Sequence, residues 1–328
     1  MKTFFITFTV VLVLFSCSSS KRTQKKISGP IFGTSYNIQY YTSSNQDFSK
    51  SVDSLFFIIN KSMSNYQNNS IISKINRNEL VTVDSHFEEV FNSSKKIYRQ
   101  TNATFNPAIG ALVNYWNFGA KKNEDALDSL KIDSLMRFVD FSKISLLDGI
   151  LLKKDQTYID FNAVAKGYAV DVISRFLESK SVTNYLVEIG GEIRVSGRNI
   201  NKDKLWKVGI QEPNFNGETN FDKVLSLKNE SMATSGTYRK FKIDANGNRY
   251  AHIINTKTGY PTKTSVLSVS VIAPNCMLAD AYATAFQAMG IDAVKLFLEN
   301  HPELKVYFIF ENTNKKIESL NLNNFPVN

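Results

Sequence analysis

Apolar residues recur at helical spacing along several segments of this chain. Residues 52–63 carry one amphipathic stripe, and a second covers about residues 86–100. A third begins near Val164, and residues 276–290 form a fourth without an interrupting proline. The pattern therefore predicts helices in these segments, with their apolar stripes facing a common core.

Other segments favour strands, because apolar and polar side chains alternate or β-branched and aromatic residues are dense. These are residues 36–40, the pair of strands around Gly190-Gly191 within 184–197, and residues 206–213, 265–273 and 306–310. Strands and helices mix without regular alternation, which indicates an α+β fold. We expect one large mixed domain over residues 30–328, or two intimately packed subdomains.

The N-terminal region has the pattern of an export signal. An apolar run from Phe4 to Phe15 follows Lys2, is too short to span a bilayer, and ends at Ser16-Cys17. This pattern resembles a bacterial lipobox and predicts a signal peptide over 1–16 and lipidation of Cys17. The protein would then be exported and anchored by lipid to a bacterial membrane, facing the periplasm. A plain secretory signal is the alternative.

Residues 17–29 are polar and basic and are interpreted as a flexible tether. Lipidation of Cys17 would leave Cys276 as the only other cysteine, so no internal disulfide is expected. The net charge is +9, but the basic residues are scattered and no nucleic-acid-binding motif is present. We therefore expect no nucleic-acid partner.

The stretch from Asp160 to Asp171 is a candidate anion site. A short run ending at Tyr158-Ile159 is interpreted as a strand that delivers Asp160 to its end, and Lys166 lies in the first turns of the helix that follows. Helix starts favour anions, and a lysine adds positive charge, so this stretch suits a phosphate-bearing ligand. An ordinary strand-to-helix connection is the alternative interpretation.

Three further segments carry candidate chemistry. Asp280 and Thr284 are four residues apart, so their oxygens lie on one helical face, where they suit a hard cation such as Mg²⁺. His252 lies beside a predicted strand, and residues 101–119 combine aromatic rings with asparagines that suit a planar ring. Each has an ordinary structural alternative: a dipole-stabilised aspartate, a structural histidine and a buried aromatic loop.

Taken together, these segments resemble the ApbE family of FAD:protein FMN transferases. The resemblance runs from about Gly29 to Gly290 and follows the family's blocks in order. The blocks are Phe32-Gly33-Thr34, Met63-Ser64-Asn65-Tyr66, Phe105-Asn106-Pro107 with 110–119, Asp160–Asp171, 187–192, 233–236, His252-Ile253-Ile254 and 280–284.

The resemblance implies an enzyme that uses Mg²⁺ to transfer FMN from FAD to a Ser or Thr hydroxyl of an acceptor protein, with release of AMP. The acceptor would carry an Asp-x-x-(Ser/Thr)-Gly-Ala-(Ser/Thr) motif. His252 would be the general base, and Asp280, Thr284 and the backbone carbonyl of Ala163 would hold the metal. The FAD site would be lined by Phe32, Tyr66, Phe105, Asn106, Pro107, Asp160, Lys166 and Ile254.

The chain departs from the family pattern at three places. Asn106 stands where aspartate is usual, residues 255–257 replace a common Asp-Pro-Arg, and Phe32 replaces a frequent methionine. Two other functions therefore stay open: Mg²⁺-dependent hydrolysis of FAD to FMN and AMP, and flavin binding by a lipoprotein without catalysis.

Overall fold

The centre of the fold is an antiparallel sheet. The structure is a computed structural model. It describes residues 22–43, 45–213, 220–237, 241–243 and 249–327. Within these residues the sheet has eight strands in the order β1-β2-β5-β6-β9-β12-β13-β14. They are β1 (Thr23–Ile31), β2 (Thr34–Thr42), β5 (Tyr185–Ile189), β6 (Glu192–Ser196), β9 (Ser231–Gly236), β12 (Val266–Ala273), β13 (Lys305–Glu311) and β14 (Ile317–Leu322).

Helices and short hairpins surround this sheet. The helices are α1 (Ser49–Met63), α2 (Ile71–Asn76), α3 (Ser85–Gln100), α4 (Gly110–Tyr115), α5 (Ser129–Met136), α6 (Ala165–Ser179), α7 (Cys276–Met289) and α8 (Ile291–Leu298). The remaining strands pair as hairpins: β3 (Ser145–Leu147) with β4 (Ile150–Leu152), β7 (Trp206–Gln211) with β8 (Phe221–Leu227), and β10 (Phe241–Ile243) with β11 (Arg249–Ala251).

The two faces of the sheet bury different partners. Successive side chains of a strand point to opposite faces, so Val306 and Phe308 of β13 face the core that includes α1, α3, α6 and α7. Tyr307 and Ile309 face a second core that includes the β7–β8 hairpin. Both faces are therefore covered, and α6 and α7 lie together on one side of the sheet.

A smaller apolar cluster packs α4 and α5 together. Leu112, Tyr115 and Ile132 are buried there with Ile254, which belongs to the segment after β11. Gly259 in the same segment lies so close to α5 that a Cβ atom would come within 2.7 Å of Ile132. This cluster attaches the 252–262 segment to the aromatic loop that the sequence identified.

The α+β class and the long amphipathic helices α1, α3, α6 and α7 are confirmed. Two local expectations were wrong. Residues 23–29, placed in a flexible tether, form most of β1 and pair with β2. The strand expected before Asp160 is only an isolated parallel bridge between Ile109 and Tyr158.

The predicted signal peptide (residues 1–16), Cys17 and the start of the tether lie outside the described residues. Cys276 is buried and not disulfide-bonded. Nowhere in the described ranges is a helix both long and apolar enough to cross a bilayer.

Candidate functional site

The site is built where α6 crosses α7, and Gly167 sets the distance between the two helices. Its backbone N–H donates a hydrogen bond of 2.9 Å to Oδ2 of Asp280. A Cβ atom at residue 167 would lie 2.3 Å from the carbonyl oxygen of Cys276 and 2.7 Å from Cβ of Asp280. Only a glycine fits this crossing, which brings the segment around Lys166 directly against the metal-ligand candidate Asp280.

Asp171, also in α6, holds the first turn of α7. Its carboxylate accepts hydrogen bonds from the backbone N–H groups of Cys276 (3.0 Å) and Met277 (2.8 Å), which have no partners within the helix. Arg194 of β6 forms an ion pair of 2.9 Å with the same carboxylate. Burial raises the pKa of Asp171, while these donors oppose that rise. Asp171 thus fixes where α7 begins and so where Asp280 lies.

Lys166 forms an ion pair with Glu192, the first residue of β6. The Glu192 side chain is 3% exposed and that of Lys166 is 32% exposed, so the pair runs from the interior to the surface. Burial raises the pKa of Glu192 and of Asp280, and the Lys166 charge lowers both. Desolvation would lower the pKa of Lys166, but the two carboxylates raise it to about 12. Lys166, Glu192 and Asp280 therefore form one cluster, in which the lysine charge opposes the effect of burial on two carboxyl groups.

The turn that carries Glu192 is itself braced. Gly190 and Gly191 form the two-residue turn between β5 and β6, with φ angles of 62° and 104° that favour glycine. The N–H of Gly190 donates to Ser35 O at 3.0 Å, and the N–H of Gly191 donates to Oε1 of Glu188 at 2.8 Å. Thr34 lies close against Gly190, so the β5–β6 turn rests on the start of β2.

A second group of predicted residues gathers around Asp160. The N–H of Asp160 donates to Pro107 O at 2.8 Å, and Gly110 packs so closely that a Cβ there would lie 3.1 Å from Cβ of Asp160. The Asp160 carboxylate accepts hydrogen bonds from Asn162, 2.7 Å from its backbone N–H and 3.1 Å from its side chain. Tyr66 lies near enough that the Asp160 charge, after desolvation, raises the pKa of Tyr66.

Two asparagines join the Tyr66 segment to the Asp160 segment. Asn65 donates to Ile159 O at 3.2 Å, and Asn76 donates to the same oxygen at 2.8 Å. Asn76 also accepts the N–H of Ile159 at 2.7 Å through its side-chain oxygen. These side chains take the place of the strand pairing that the sequence predicted before Asp160.

Phe32, Phe105 and Asn106 lie in confined surroundings. Phe32 turns the β1–β2 hairpin with a φ of 50°, which is costly for an aromatic residue, and its ring packs edge-on against Phe56 at 5.6 Å. Such strain often accompanies a functional position. Phe105 is buried, and the oxygen of Asn106 accepts the N–H of Ala108 at 3.0 Å. An asparagine therefore completes this turn as an aspartate would.

His252 is the first residue of the 252–262 segment, directly after β11. Its ring contacts Phe118 edge-on, with 6.4 Å between the ring centres. Ile254 bridges to Pro261, and the hydroxyl of Thr256 donates to Ala103 O at 2.8 Å, just before the Phe105–Pro107 segment. The altered residues after His252 thus support the aromatic loop.

The donors around Asp280 fit a hard cation. Asp280 and Thr284 are one turn apart on α7, and Ala163 lies just before α6, whose first turn contacts Asp280. These groups are a carboxylate, a hydroxyl and a carbonyl, the oxygen ligands that Mg²⁺ accepts alongside water and phosphate. Among the described residues, no three histidine, cysteine, aspartate or glutamate side chains are placed so that they could hold a metal ion together. The cation would therefore rely on substrate or water for the rest of its shell.

Sequence reasoning did not assign Gly167, Asp171 or Glu192 to the site. Asp171 ended the stretch of interest, and Glu192 followed the double glycine, but neither pattern reveals its partner. Glu192 pairs with a residue 26 positions away, and Asp171 with backbone 105 positions away. Only the folded chain brings these groups together.

The comparisons with known proteins show the family of the chain. A sequence model of the ApbE family matches residues 32–308, which is most of the chain and contains the described site. The protein belongs to the ApbE family.

Its relatives include FAD:protein FMN transferases. That of Haemophilus influenzae is 32% identical over 93% of this chain and 92% of its own length. That of Vibrio cholerae is 32% identical over 88% of each chain. The solved structure of the flavin transferase ApbE from Vibrio cholerae superposes with a TM-score of 0.82 at 29% identity, covering 92% of this chain and 97% of that one.

Proposed function

We propose that this protein is an FAD:protein FMN transferase. It would transfer FMN from FAD to a Ser or Thr hydroxyl of an acceptor protein, forming a phosphoester and releasing AMP, with Mg²⁺ as the metal. The observation that carries the proposal is the cluster of Lys166, Glu192 and Asp280 at the α6–α7 crossing. A lysine beside a cation site of oxygen donors suits a diphosphate, and the relatives named FAD:protein FMN transferases supply the substrate class.

The reaction requires one bond to form and one to break. The acceptor hydroxyl oxygen attacks the phosphorus on the FMN side of the diphosphate, and the bond to the AMP side breaks, so that AMP leaves with the bridging oxygen. His252 would take the hydroxyl proton, an effect typically worth about 10²–10⁴-fold in rate. When bound, Mg²⁺ would neutralise charge developing on the diphosphate oxygens.

The chain's other residues would position the substrate. Lys166 would bind a diphosphate oxygen, while Asp280, Thr284 and the Ala163 carbonyl would hold the metal beside it. Asp160 and Tyr66, with the Phe105–Pro107 segment, would line the remainder of the FAD site. Positioning and charge neutralisation account for most catalysis in phosphoryl transfer, so this division of roles is sufficient.

Mass spectrometry of an acceptor tests the proposal. The purified protein is incubated with FAD, Mg²⁺ and proteins that carry Asp-x-x-(Ser/Thr)-Gly-Ala-(Ser/Thr), and the acceptors are examined for the added mass of FMN. We expect an adduct with the wild type and its loss in His252→Ala. His301→Ala is the matched control, because His301 stacks on Phe297 away from the proposed site and should leave transfer intact.

The same experiment separates the two alternatives. AMP released in the absence of any acceptor would favour FAD hydrolysis. Several motif-bearing acceptors without an adduct, together with stable FAD, would favour a flavin-binding protein without catalysis and would refute the transferase.

We also propose that the protein is exported and anchored to a bacterial membrane through lipid on Cys17. The support is the apolar run before Cys17 in the sequence. Cys17→Ser should move the protein from the membrane fraction to the soluble fraction and abolish labelling by a fatty-acid analogue. Unchanged fractionation and labelling would refute the anchor.

A further inference from the structure

The pairing of Glu192 with Lys166 has a feature that packing does not explain. Oε1 of Glu192 binds the lysine, but Oε2 is buried without a hydrogen-bond partner among the described residues. A buried, unpaired carboxylate oxygen costs free energy that an apolar residue such as leucine at this position would avoid. Such a cost is typical of functional sites.

Three features fix the position of Glu192: the turn before it, its strand pairing and its burial. The residue begins β6, immediately after a turn whose backbone is fixed by Ser35 and Glu188. Its β-strand pairing with Ile189 fixes the backbone, and its side chain is almost fully buried. The carboxylate therefore has a defined position, whereas a lysine side chain alone has four rotatable bonds and loses much freedom when it is ordered.

Lys166 is placed differently. Its side chain is 32% exposed, so part of it is open to solvent, while its ammonium group contacts the buried Glu192. An ammonium group has three N–H donors. One is directed at Glu192, and no second hydrogen bond from the ammonium to a described residue occurs, although the Asp280 charge lies near enough to raise the pKa of Lys166. The remaining donors are available to an anion that enters along the solvent-exposed part of the side chain.

We propose that Glu192 is a positioning residue that holds the Lys166 ammonium in place to bind a diphosphate oxygen of FAD. This inference rests on the proposed function, since it takes FAD as the ligand of Lys166. Glu192 itself would not touch the substrate. By fixing the lysine before the ligand arrives, it would remove an ordering cost from binding.

A double-mutant cycle on binding tests the inference. FAD affinity is measured by the change in flavin fluorescence, without acceptor and with EDTA, so that binding is observed apart from turnover. We expect Lys166→Met to raise the Kd about tenfold or more, as for loss of a charged hydrogen bond. Glu192→Gln should raise it roughly threefold to tenfold. The double variant should match Lys166→Met within about twofold, because residues that act through one another are not additive.

Glu188→Gln is the matched control. Glu188 is the other carboxylate of the same turn. Burial raises its pKa and the Lys166 charge opposes that rise, but its hydrogen bond comes from the Gly191 N–H, which the oxygen of a glutamine would still accept, so the turn stays braced. Its Kd should stay within about twofold of the wild type. An unchanged Kd in Glu192→Gln, effects that multiply in the double variant, or an equal loss in Glu188→Gln would each overturn the inference.

The pH profile of Lys166 labelling gives a second readout that is independent of FAD. Reductive methylation of Lys166, followed by peptide mass spectrometry, should show a lower midpoint pH in Glu192→Gln than in the wild type. Glu192→Asp retains the charge, so its midpoint pH should lie between those of Glu192→Gln and the wild type. This variant also provides a test if Glu192→Gln fails to fold. Identical midpoints in all three proteins overturn the pairing. A wild type that binds no FAD overturns the proposed function and the ligand assigned to Lys166, whereas the labelling result still decides the pairing.

Discussion

Gly167→Ala should destabilise the protein although it adds a better helix former. Helix propensity alone predicts a gain of up to about 1 kcal/mol for alanine over glycine within α6. The added Cβ, however, would lie 2.3 Å from the carbonyl oxygen of Cys276 and 2.7 Å from Cβ of Asp280. Ordinary contacts begin near 3.4 Å, so α6 and α7 would have to separate by roughly 1 Å, and overpacking of this kind typically costs about 1–3 kcal/mol. After subtraction of the propensity gain, we expect a net loss of about 1–2 kcal/mol.

The assay is denaturant unfolding of the wild type and of Gly167→Ala. If the slope of the free energy of unfolding against denaturant concentration is the same for both, a lower midpoint reports lower stability. The same displacement moves Asp280, so Mg²⁺ affinity, measured by calorimetry with FAD present, should also fall. Gly209→Ala is the matched control: its Cβ would also lie 2.3 Å from a neighbour, but that neighbour is the ring of Phe221, which is 59% exposed and can rotate. Unchanged or greater stability of Gly167→Ala, or an equal loss in Gly209→Ala, would refute the reasoning.

Three further outcomes follow from single side chains: Asp171, Asp140, which accepts hydrogen bonds from Ser142, and Thr284. Asp171→Ala should lower the free energy of unfolding by about 3 kcal/mol, because it removes the buried carboxylate that pairs with Arg194 and the acceptor of two helix N–H groups, and leaves Arg194 only Glu178; a loss below about 1 kcal/mol in denaturant unfolding would contradict this. Asp140 has a pKa lowered to about 2 by hydrogen bonds from Ser142, so its contribution is present above pH 3.8 and is lost as the pH falls toward 2. Asp140→Asn should therefore cost about 1 kcal/mol at pH 7 and flatten the acid-unfolding curve in that window; parallel curves would argue against it. Thr284→Val keeps shape and should weaken Mg²⁺ binding about tenfold by calorimetry while leaving the unfolding midpoint nearly unchanged; equal affinity would remove the hydroxyl from the metal site.

The long elements were predictable because their periodicity reports burial directly. The helix α7 carries its apolar residues without interruption, and it begins and ends within a residue of the predicted bounds. The edge strand β1 was missed because its residues Lys25 and Lys26 are basic, and an edge strand needs no apolar alternation on its exposed side. The segment before Asp160 was predicted as a strand from its composition. In the structure, the side chain of Asn76 makes the hydrogen bonds to the backbone of Ile159 that a neighbouring strand would otherwise make.

The candidate site was predictable only in part, for a different physical reason. The spacing of Asp280 and Thr284 is local and follows from helix geometry. The roles of Gly167 and Glu192 depend on a helix crossing and on an ion pair between distant elements. A single sequence does not show which distant residues come into contact. The residues around Lys166 and Glu192 look like those around any exposed lysine and any glutamate that follows a turn.

The early start of β1 would limit how far a lipid-anchored enzyme could reach from the membrane. The first strand begins at Thr23, so only six Cα–Cα steps would separate the domain from a lipid on Cys17, a span of at most about 20 Å. An anchored enzyme would then work close to the bilayer, with Lys25 and Lys26 near its surface, where each lysine beside anionic lipid is worth about 1 kcal/mol. Acceptor hydroxyls far from the membrane would be out of range. Inserting a Gly/Ser segment after residue 19 should extend modification to more distant acceptors, and an unchanged set of flavinylated proteins would show that the anchor does not limit access.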